Sequence, residues 1–231
     1  MKVMGHRGAA GLELENTEAS LRRAIALGVD SIEIDVRKTK DNQLVLCHDD
    51  DLSRVANEPA KIKDTPLKQL QTIRLNNGSR LLSLSQALTI IGSTPVMIEL
   101  KDEVTARILQ SVLHDFPKAN ISIASFKLRE LAVLKDLGVP FLLYGLEQTK
   151  PFDALHLARI FELDGVGLNF WLLNPLTYVR ARLLGLDLYV YTVNHRYNAW
   201  FIRLFYPGVT ICTDYPDRFV RSKRRQGGRT K

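Results

Sequence analysis

Eight short strand-like runs recur along the chain, at Val3–Gly5, Ser31–Val36, Pro95–Leu100, Ile121–Ser125, Phe141–Tyr144, Val166–Asn169, Leu188–Val193 and Val209–Thr213. Most of the intervening segments carry apolar residues at helical spacing: up to Leu27 behind an Asn16 or Thr17 cap, Glu103–Phe116, Leu128–Leu137, Phe152–Phe161, Pro175–Leu184 and Tyr197–Phe205. A parallel strand pair needs a crossover, and a helix is the usual one, so this alternation constrains the fold to the α/β class. Eight such units in 231 residues predict one (β/α)8 TIM-type barrel. An open, doubly wound sheet has the same alternation, because periodicity does not reveal closure. The connection from Val36 to Leu44 is polar and too short for a helix, so Leu44–His48 is expected to fold back as a hairpin strand after strand two. Residues 49–83 read as polar and loop-rich, with one short helix at Leu67–Ile73.

Charge sharpens the domain boundaries. The formal net charge is +7, yet residues 218–231 hold seven of the 32 basic residues and no acid, leaving 25 basic against 25 acidic elsewhere. The division expected is a single catalytic barrel over 1–217 and a basic, disordered tail over 218–231. A neutral body removes the main support for specific nucleic-acid binding. The tail is expected to be dispensable for chemistry and plainly solvated, with weak, salt-dependent binding to anionic lipid or nucleic acid as the alternative. No apolar run approaches the ~20 residues that span a bilayer, and Lys2-Val3 leads directly into the first strand, so a soluble, cytoplasmic protein is expected. Cys47 and Cys212 lie in apolar runs without metal-type spacing and read as buried free thiols. Oligomeric state is not written in the sequence.

Polar residues cluster where barrel chemistry belongs, at the C-terminal ends of strands. His6 and Arg7 follow the first, Glu33 and Asp35 end the second, and Glu99 and Lys101 end the run from Pro95. His48 ends the hairpin strand. Residues two apart on a strand share a face, so Glu33 projects with Asp35, and Glu99 with Lys101. Three such carboxylates suit a hard cation, Mg2+ or Ca2+, more than zinc. An isolated Glu-x-Asp more often just pairs with a base such as Arg7 or Lys101, but two converging imidazoles tip the balance toward a site. His6 and His48 are candidates for general acid and general base, in either order. Arg7 and Lys101 suit a bound anion. Phe170 and Trp171 either wall a substrate pocket or pack within their loop. His114, His156 and His195 read as ordinary surface or core histidines. Trp200, Phe201, Leu204 and Phe205 are expected in the core. The glycine-spaced loop at 5–11 lacks the lysine of a nucleotide P-loop.

These residues, in this order, resemble the glycerophosphodiester phosphodiesterase family, in its compact bacterial form. The resemblance rests on His6-Arg7-Gly8 with Glu15-Asn16-Thr17, Glu33-Ile34-Asp35-Val36, Val45-Leu46-Cys47-His48-Asp49 and Glu99-Leu100-Lys101. Tyr191-Thr192-Val193-Asn194 and Thr213-Asp214-Tyr215-Pro216-Asp217 close the series. It implies a distorted barrel that hydrolyses a small glycerophosphodiester to glycerol 3-phosphate and an alcohol with a divalent metal. It further implies Glu33, Asp35 and Glu99 as metal ligands, His6 and His48 as the acid–base pair, and Arg7 and Lys101 on the phosphate. Tyr191 stands where the family often has tryptophan and is a candidate pocket residue. Alternatives are a lysophospholipase D with the same chemistry on a lipid, and a barrel that binds a phosphodiester without turnover.

Overall fold

The computed structural model of the protein describes residues 1–220. The chain opens with β1 (Val3–Gly5), α1 (Glu18–Leu27) and β2 (Ser31–Lys38). It folds back as β3 (Leu44–Leu46) and makes an excursion through β4 (Asp51–Leu52), α2 (Ser53–Ala56), β5 (Glu58–Lys61) and α3 (Leu67–Leu70). Helix α4 (Leu84–Ile91) leads to β6 (Val96–Leu100), α5 (Ala106–Leu113), β7 (Ile121–Ser125) and α6 (Leu128–Asp136). The remainder is β8 (Leu142–Glu147), α7 (Pro151–Ile160), β9 (Gly165–Asn169), α8 (Pro175–Leu183), β10 (Asp187–Tyr191), α9 (Arg196–Phe205) and β11 (Thr210–Thr213).

Strands β6 to β11 pair in chain order, β11 pairs with β1, β1 with β2, and β2 with β6, all parallel. The ring is therefore closed by eight strands, and the fold is a TIM barrel rather than an open sheet. β3 lies outside the ring, antiparallel to the end of β2. Local signals start and stop the helices. Thr17 caps α1 through its side chain and Gly28 ends it at φ 79°, while Asn174 caps α8 ahead of Pro175.

The register fixes which residues fill the barrel. Glu33 lies beside Met97, and Asp35 beside Glu99, while Tyr144 and Tyr189 lie beside Gly165 and Gly167. The barrel interior below the acids is a packed cluster that includes Met4, Met97, Tyr144, Leu146, Tyr189 and Cys212. Gly167 makes room for one large ring: a Cβ there would lie 2.3 Å from the Tyr189 ring. The alternate residues, Ile32, Ile34, Val36, Val96, Ile98 and Leu100, face the helical layer in the main core.

β1 is only three residues long, so most of the β2 edge beside it has no strand partner in the ring. Two substitutes satisfy that edge. Gly8 N donates to Glu33 O (3.2 Å) and Cys47 N to Asp35 O (3.1 Å), after which β3 pairs with Val36 to Lys38. The first of these brings His6 and Arg7 to the mouth, and the second brings His48.

Four expectations need correction. The stretch at 49–83 is not merely a loop: Val45, Cys47, Leu52, Val55, Ile62, Leu70, Leu75 and Leu81 form a small core of their own, and its helix stops at Leu70. Helix α4 was not anticipated, although Ser83 and Gln86 form a reciprocal capping box at its start. Trp200, Phe201, Leu204 and Phe205 are exposed rather than core, because α9 buries its opposite face through Ala199 and Ile202. Arg218, Phe219 and Val220, assigned above to the tail, lie on the barrel. Arg218 donates to Asn194 O (2.8 Å), and Phe219 and Val220 pack against the core. The rest of that tail, 221–231, lies outside the described residues.

Gly8 holds the first mouth loop in its turn. It sits at φ 86°, and a Cβ there would lie 2.4 Å from Ser20 Oγ and 2.7 Å from the Ser20 carbonyl carbon. Gly8→Ala is therefore expected to destabilise the fold by roughly 2 kcal/mol or more, read as a lowered urea midpoint. An unchanged midpoint would show that the loop is free to relax.

Candidate active site

The site begins from a buried acid cluster. Glu33, Asp35 and Glu99 each place a carboxylate oxygen within 4.8 Å of the others at the inner face of β2 and β6. Asp35 is only 1 % exposed. Its Oδ2 meets Arg7 Nε at 3.0 Å and Asn16 Nδ2 at 3.0 Å, and its Oδ1 meets Lys101 Nζ at 3.0 Å. Lys101 also pairs with Glu99. Burial alone would raise the pKa of Asp35, but Lys101 and then Arg7 hold it below the usual carboxylate range. Glu33 is less well served. Burial, with Asp35 and Glu99 nearby, pushes it up to about 8. Its Oε2 accepts Arg7 N at 2.9 Å, whereas its Oε1 is buried with no hydrogen-bond partner among the described residues. A buried carboxylate oxygen without a donor is costly. Three clustered hard oxygen donors, one of them unpaired, fit a divalent cation such as Mg2+ or Ca2+.

Both histidines present one ring nitrogen to an acid. His6 Nδ1 lies 2.6 Å from Asp214 Oδ1, and His48 Nδ1 lies 2.7 Å from Asp49 Oδ1. An ionised carboxylate only accepts, so Nδ1 carries the proton in each and Nε2 is left available. His6 Nε2 lies 4.0 Å from Glu33 Oε2. Burial lowers the pKa of His6, but the Asp214 bond and the charge of Glu33 more than reverse this, leaving it raised. Burial dominates at His48 and leaves it lowered despite Asp49.

A supporting layer fixes those acids. Asn194 Nδ2 donates to Asp214 Oδ2 (2.6 Å), and Asp214 N donates back to Asn194 Oδ1 (3.0 Å). Arg54 donates to Asp49 (2.6 Å) and, through both terminal nitrogens, to Glu15 (2.7 and 2.8 Å). Glu15 in turn accepts from Arg7 (2.9 Å). The sequence motifs contain Glu15, Asn194 and Asp214, but their roles were not readable. Asp214 is 208 residues from His6, and only ring closure brings β11 beside β1.

A cavity of about 250 Å³ joins these groups, lined by His6, Arg7, Glu33, His48, Glu99, Lys101 and Tyr191, with Phe126, Gln148 and Asn169 on the far wall. Asp35 lies beneath it. Thus all seven polar candidates meet at one mouth, and Tyr191 lines it. Phe170 and Trp171 do not. Asn169 Oδ1 accepts Trp171 N (3.2 Å) and turns the chain outward, so these rings line a separate groove with Tyr197 and Phe201. Arg7 and Lys101, expected on the phosphate, spend much of their donor capacity on the acids. Cys47 and Cys212 are buried and unpaired, and burial pushes Cys47 up to about 12. A second cavity, of about 380 Å³, opens at the opposite end of the barrel and gathers no imidazole.

A sequence model described as the glycerophosphoryl diester phosphodiesterase family matches residues 6–218. The chain belongs to this family. It is therefore a phosphodiesterase. The glycerophosphodiester phosphodiesterase of Caldanaerobacter subterraneus subsp. tengcongensis is 27% identical, covering 97% of this chain and 98% of its own. Human lysophospholipase D GDPD1 is 23% identical over 94% of this chain and 84% of its own. In fold, the chain matches an Oleispira antarctica phosphodiesterase solved with sn-glycerol-3-phosphate, at TM-score 0.86 and 24% identity over 94% of both chains. No helix among the described residues is long and apolar enough to cross a membrane.

Asp214→Asn keeps an acceptor for His6 but removes the charge that raises its pKa. The His6 imidazole is expected to titrate at lower pH, measured as the NMR titration profile of its ring protons. A profile unmoved by the substitution would show that Asp214 does not tune His6.

Proposed function

We propose that this enzyme hydrolyses glycerophosphodiesters to glycerol 3-phosphate and an alcohol, using a divalent cation and the His6–His48 pair. The observation that carries the reading is the acid cluster, with its unpaired Glu33 oxygen, in a cavity that also receives two acid-supported imidazoles. Glu33, Asp35 and Glu99 would hold Mg2+ or Ca2+. When bound, the cation supplies positive charge against the negative charge that develops on the phosphoryl oxygens.

The protein's own groups do the rest. One imidazole takes a proton at Nε2 from the nucleophile, which is water or a hydroxyl of the glycerol moiety. The other gives a proton from Nε2 to the departing alkoxide. Asp214 and Asp49 keep the two rings in the tautomer that leaves Nε2 available for these transfers. Arg7 and Lys101 line the cavity, where their N–H groups not spent on the acids can meet a phosphate, and they hold Asp35 ionised in the meantime. Tyr191 and Phe126, in edge contact at 6.4 Å, give the alcohol portion an apolar wall. A second reading, lysophospholipase D, is favoured by the exposed apolar side chains beside the mouth, Trp171 among them.

The test is product analysis with glycerophosphocholine, glycerophosphoethanolamine and a dispersed lysophospholipid. Glycerol 3-phosphate is expected from at least one of the first two, lost on exhaustive chelation and restored by Mg2+ or Ca2+. Full activity in a metal-free, chelated sample would remove the cation from the mechanism, and lysophosphatidic acid as the main product would establish the second reading.

His6→Ala and His48→Ala are each expected to lower turnover by roughly a hundredfold or more, the scale of a lost general acid or base. Both should keep the helical circular dichroism of the parent, since each ring sits at the polar mouth. Near-parent turnover in either variant would dismiss that histidine from the acid–base pair.

A further inference from the structure

Helices α8 and α9, with the loop before α8, expose apolar side chains that the barrel does not use. On α9, Tyr197, Trp200, Phe201, Leu204 and Phe205 are all exposed, and their spacing puts them on one face. On α8, Leu176, Val179 and Leu183 are likewise exposed, Leu183 at 77 %. Trp171, 79 % exposed, lies in the loop that follows Asn169 at the catalytic mouth. The two helices are neighbours: Tyr178 on α8 stacks on Tyr206 just after α9 at 5.3 Å and donates to Pro207 O at 2.7 Å. Large apolar side chains exposed together in this number mark a contact surface.

The charges on α8 and α9 themselves are all of one sign. Arg180 and Arg182 on α8, and Arg196 and Arg203 on α9, are exposed, and none forms an ion pair with a carboxylate among the described residues. From Phe170 to Thr213 the sole acid is Asp187, which sits at the far end of the barrel bonded to Tyr144. Arg196 Nε also reaches Arg218 O at 3.3 Å. The chain thus leaves the described region beside α9, and residues 221–231 add six further basic residues and no acid.

We propose that the α8–α9 face docks the enzyme on an anionic lipid bilayer, with Trp171, Trp200 and their apolar neighbours entering the interface and the arginines meeting the headgroups. The pairing of aromatic and aliphatic side chains with unopposed cations fits that surface on both counts. A second copy of the chain fits less well. A two-fold contact would place this face against itself, setting arginine opposite arginine with no acid to offset them. The docking goes beyond the hydrolytic activity and is separable from it.

The chain has two tryptophans, and both are among these exposed side chains, so their fluorescence reports on the face directly. The test titrates the full-length protein with vesicles of phosphatidylcholine alone and of phosphatidylcholine mixed with phosphatidylglycerol. Emission is expected to shift to the blue, with co-sedimentation, on the anionic vesicles and not on the neutral ones. Trp200→Ala with Leu204→Ser should weaken co-sedimentation about tenfold, and Arg203→Glu, which changes no apolar contact, should weaken it as well. Both variants should retain turnover on a soluble glycerophosphodiester, which is measured separately and stands or falls independently. Co-sedimentation without an emission shift would assign binding to residues 221–231 alone and overturn the proposal. A blue shift that grows with protein concentration in the absence of lipid, with a dimer mass by ultracentrifugation, would overturn it in favour of self-association. Absence of any vesicle binding would also overturn it.

Discussion

Three buried carboxylates at the top of β2 and β6 set the terms for everything around them. Taking charge out of water is costly unless partners replace the solvent. Two cations, Arg7 and Lys101, therefore lean inward on Asp35, and Asn16 adds a neutral donor. Two positive charges against three negative leave the cluster short of one, and the deficit falls on Glu33, whose pKa rises and whose Oε1 stays unpaired. A divalent cation held there would offset that deficit. The same need explains local strain. Arg7 adopts φ 49°, unusual for a residue with a side chain, and is held there by Ser20 Oγ donating to its carbonyl (2.6 Å) and by its own N–H on Glu33.

The barrel makes this possible by being imperfect. A full-length first strand would have paired with β2 along its whole edge and kept loops away from the acids. With only three residues in β1, the edge above Ser31 and Ile32 is left to the Gly8 turn and to β3. Each substitute delivers one histidine. The excursion after β3 then packs its own small core and supplies Arg54, which clamps Asp49 behind His48 and Glu15 behind Arg7. One salt-bridge network therefore supports both sides of the mouth.

Much of this was legible in the sequence, for a physical reason. Parallel strands buried on both faces read as continuous apolar runs, and a charged residue inside such a run must be either paired or functional. Glu33, Asp35 and Glu99 stood out in that way, and so did the residues at strand ends. The start of α1 was readable from its Asn16 or Thr17 cap, and Thr17 is the residue that caps it. What stayed hidden depends on closure or on which side of a helix faces inward. Asp214 supports His6 only because β11 meets β1, a contact between the two ends of the barrel. The apolar residues of α9 have the spacing of a buried stripe, and spacing does not say whether the barrel or something outside it covers them. Trp200 and Leu204 face outward because Ala199 and Ile202 already fill the barrel side.

The position of Asn169 ties these two surfaces together. Its side chain lines the catalytic cavity, and its Oδ1 accepts the N–H of Trp171, which starts the outward turn. Phe170 stays half-buried against the core, while Trp171 next to it is carried out to solvent. The chain could have buried both rings at the mouth and gained their burial energy, about 2 kcal/mol for a large apolar side chain. It instead presents both of its tryptophans to solvent, Trp171 just after the cavity residue Asn169 and Trp200 on α9. Folding stability does not account for that placement. A bilayer that covers these side chains does, because the apolar surface then leaves water on docking rather than on folding, with the catalytic mouth held at the edge of the contact.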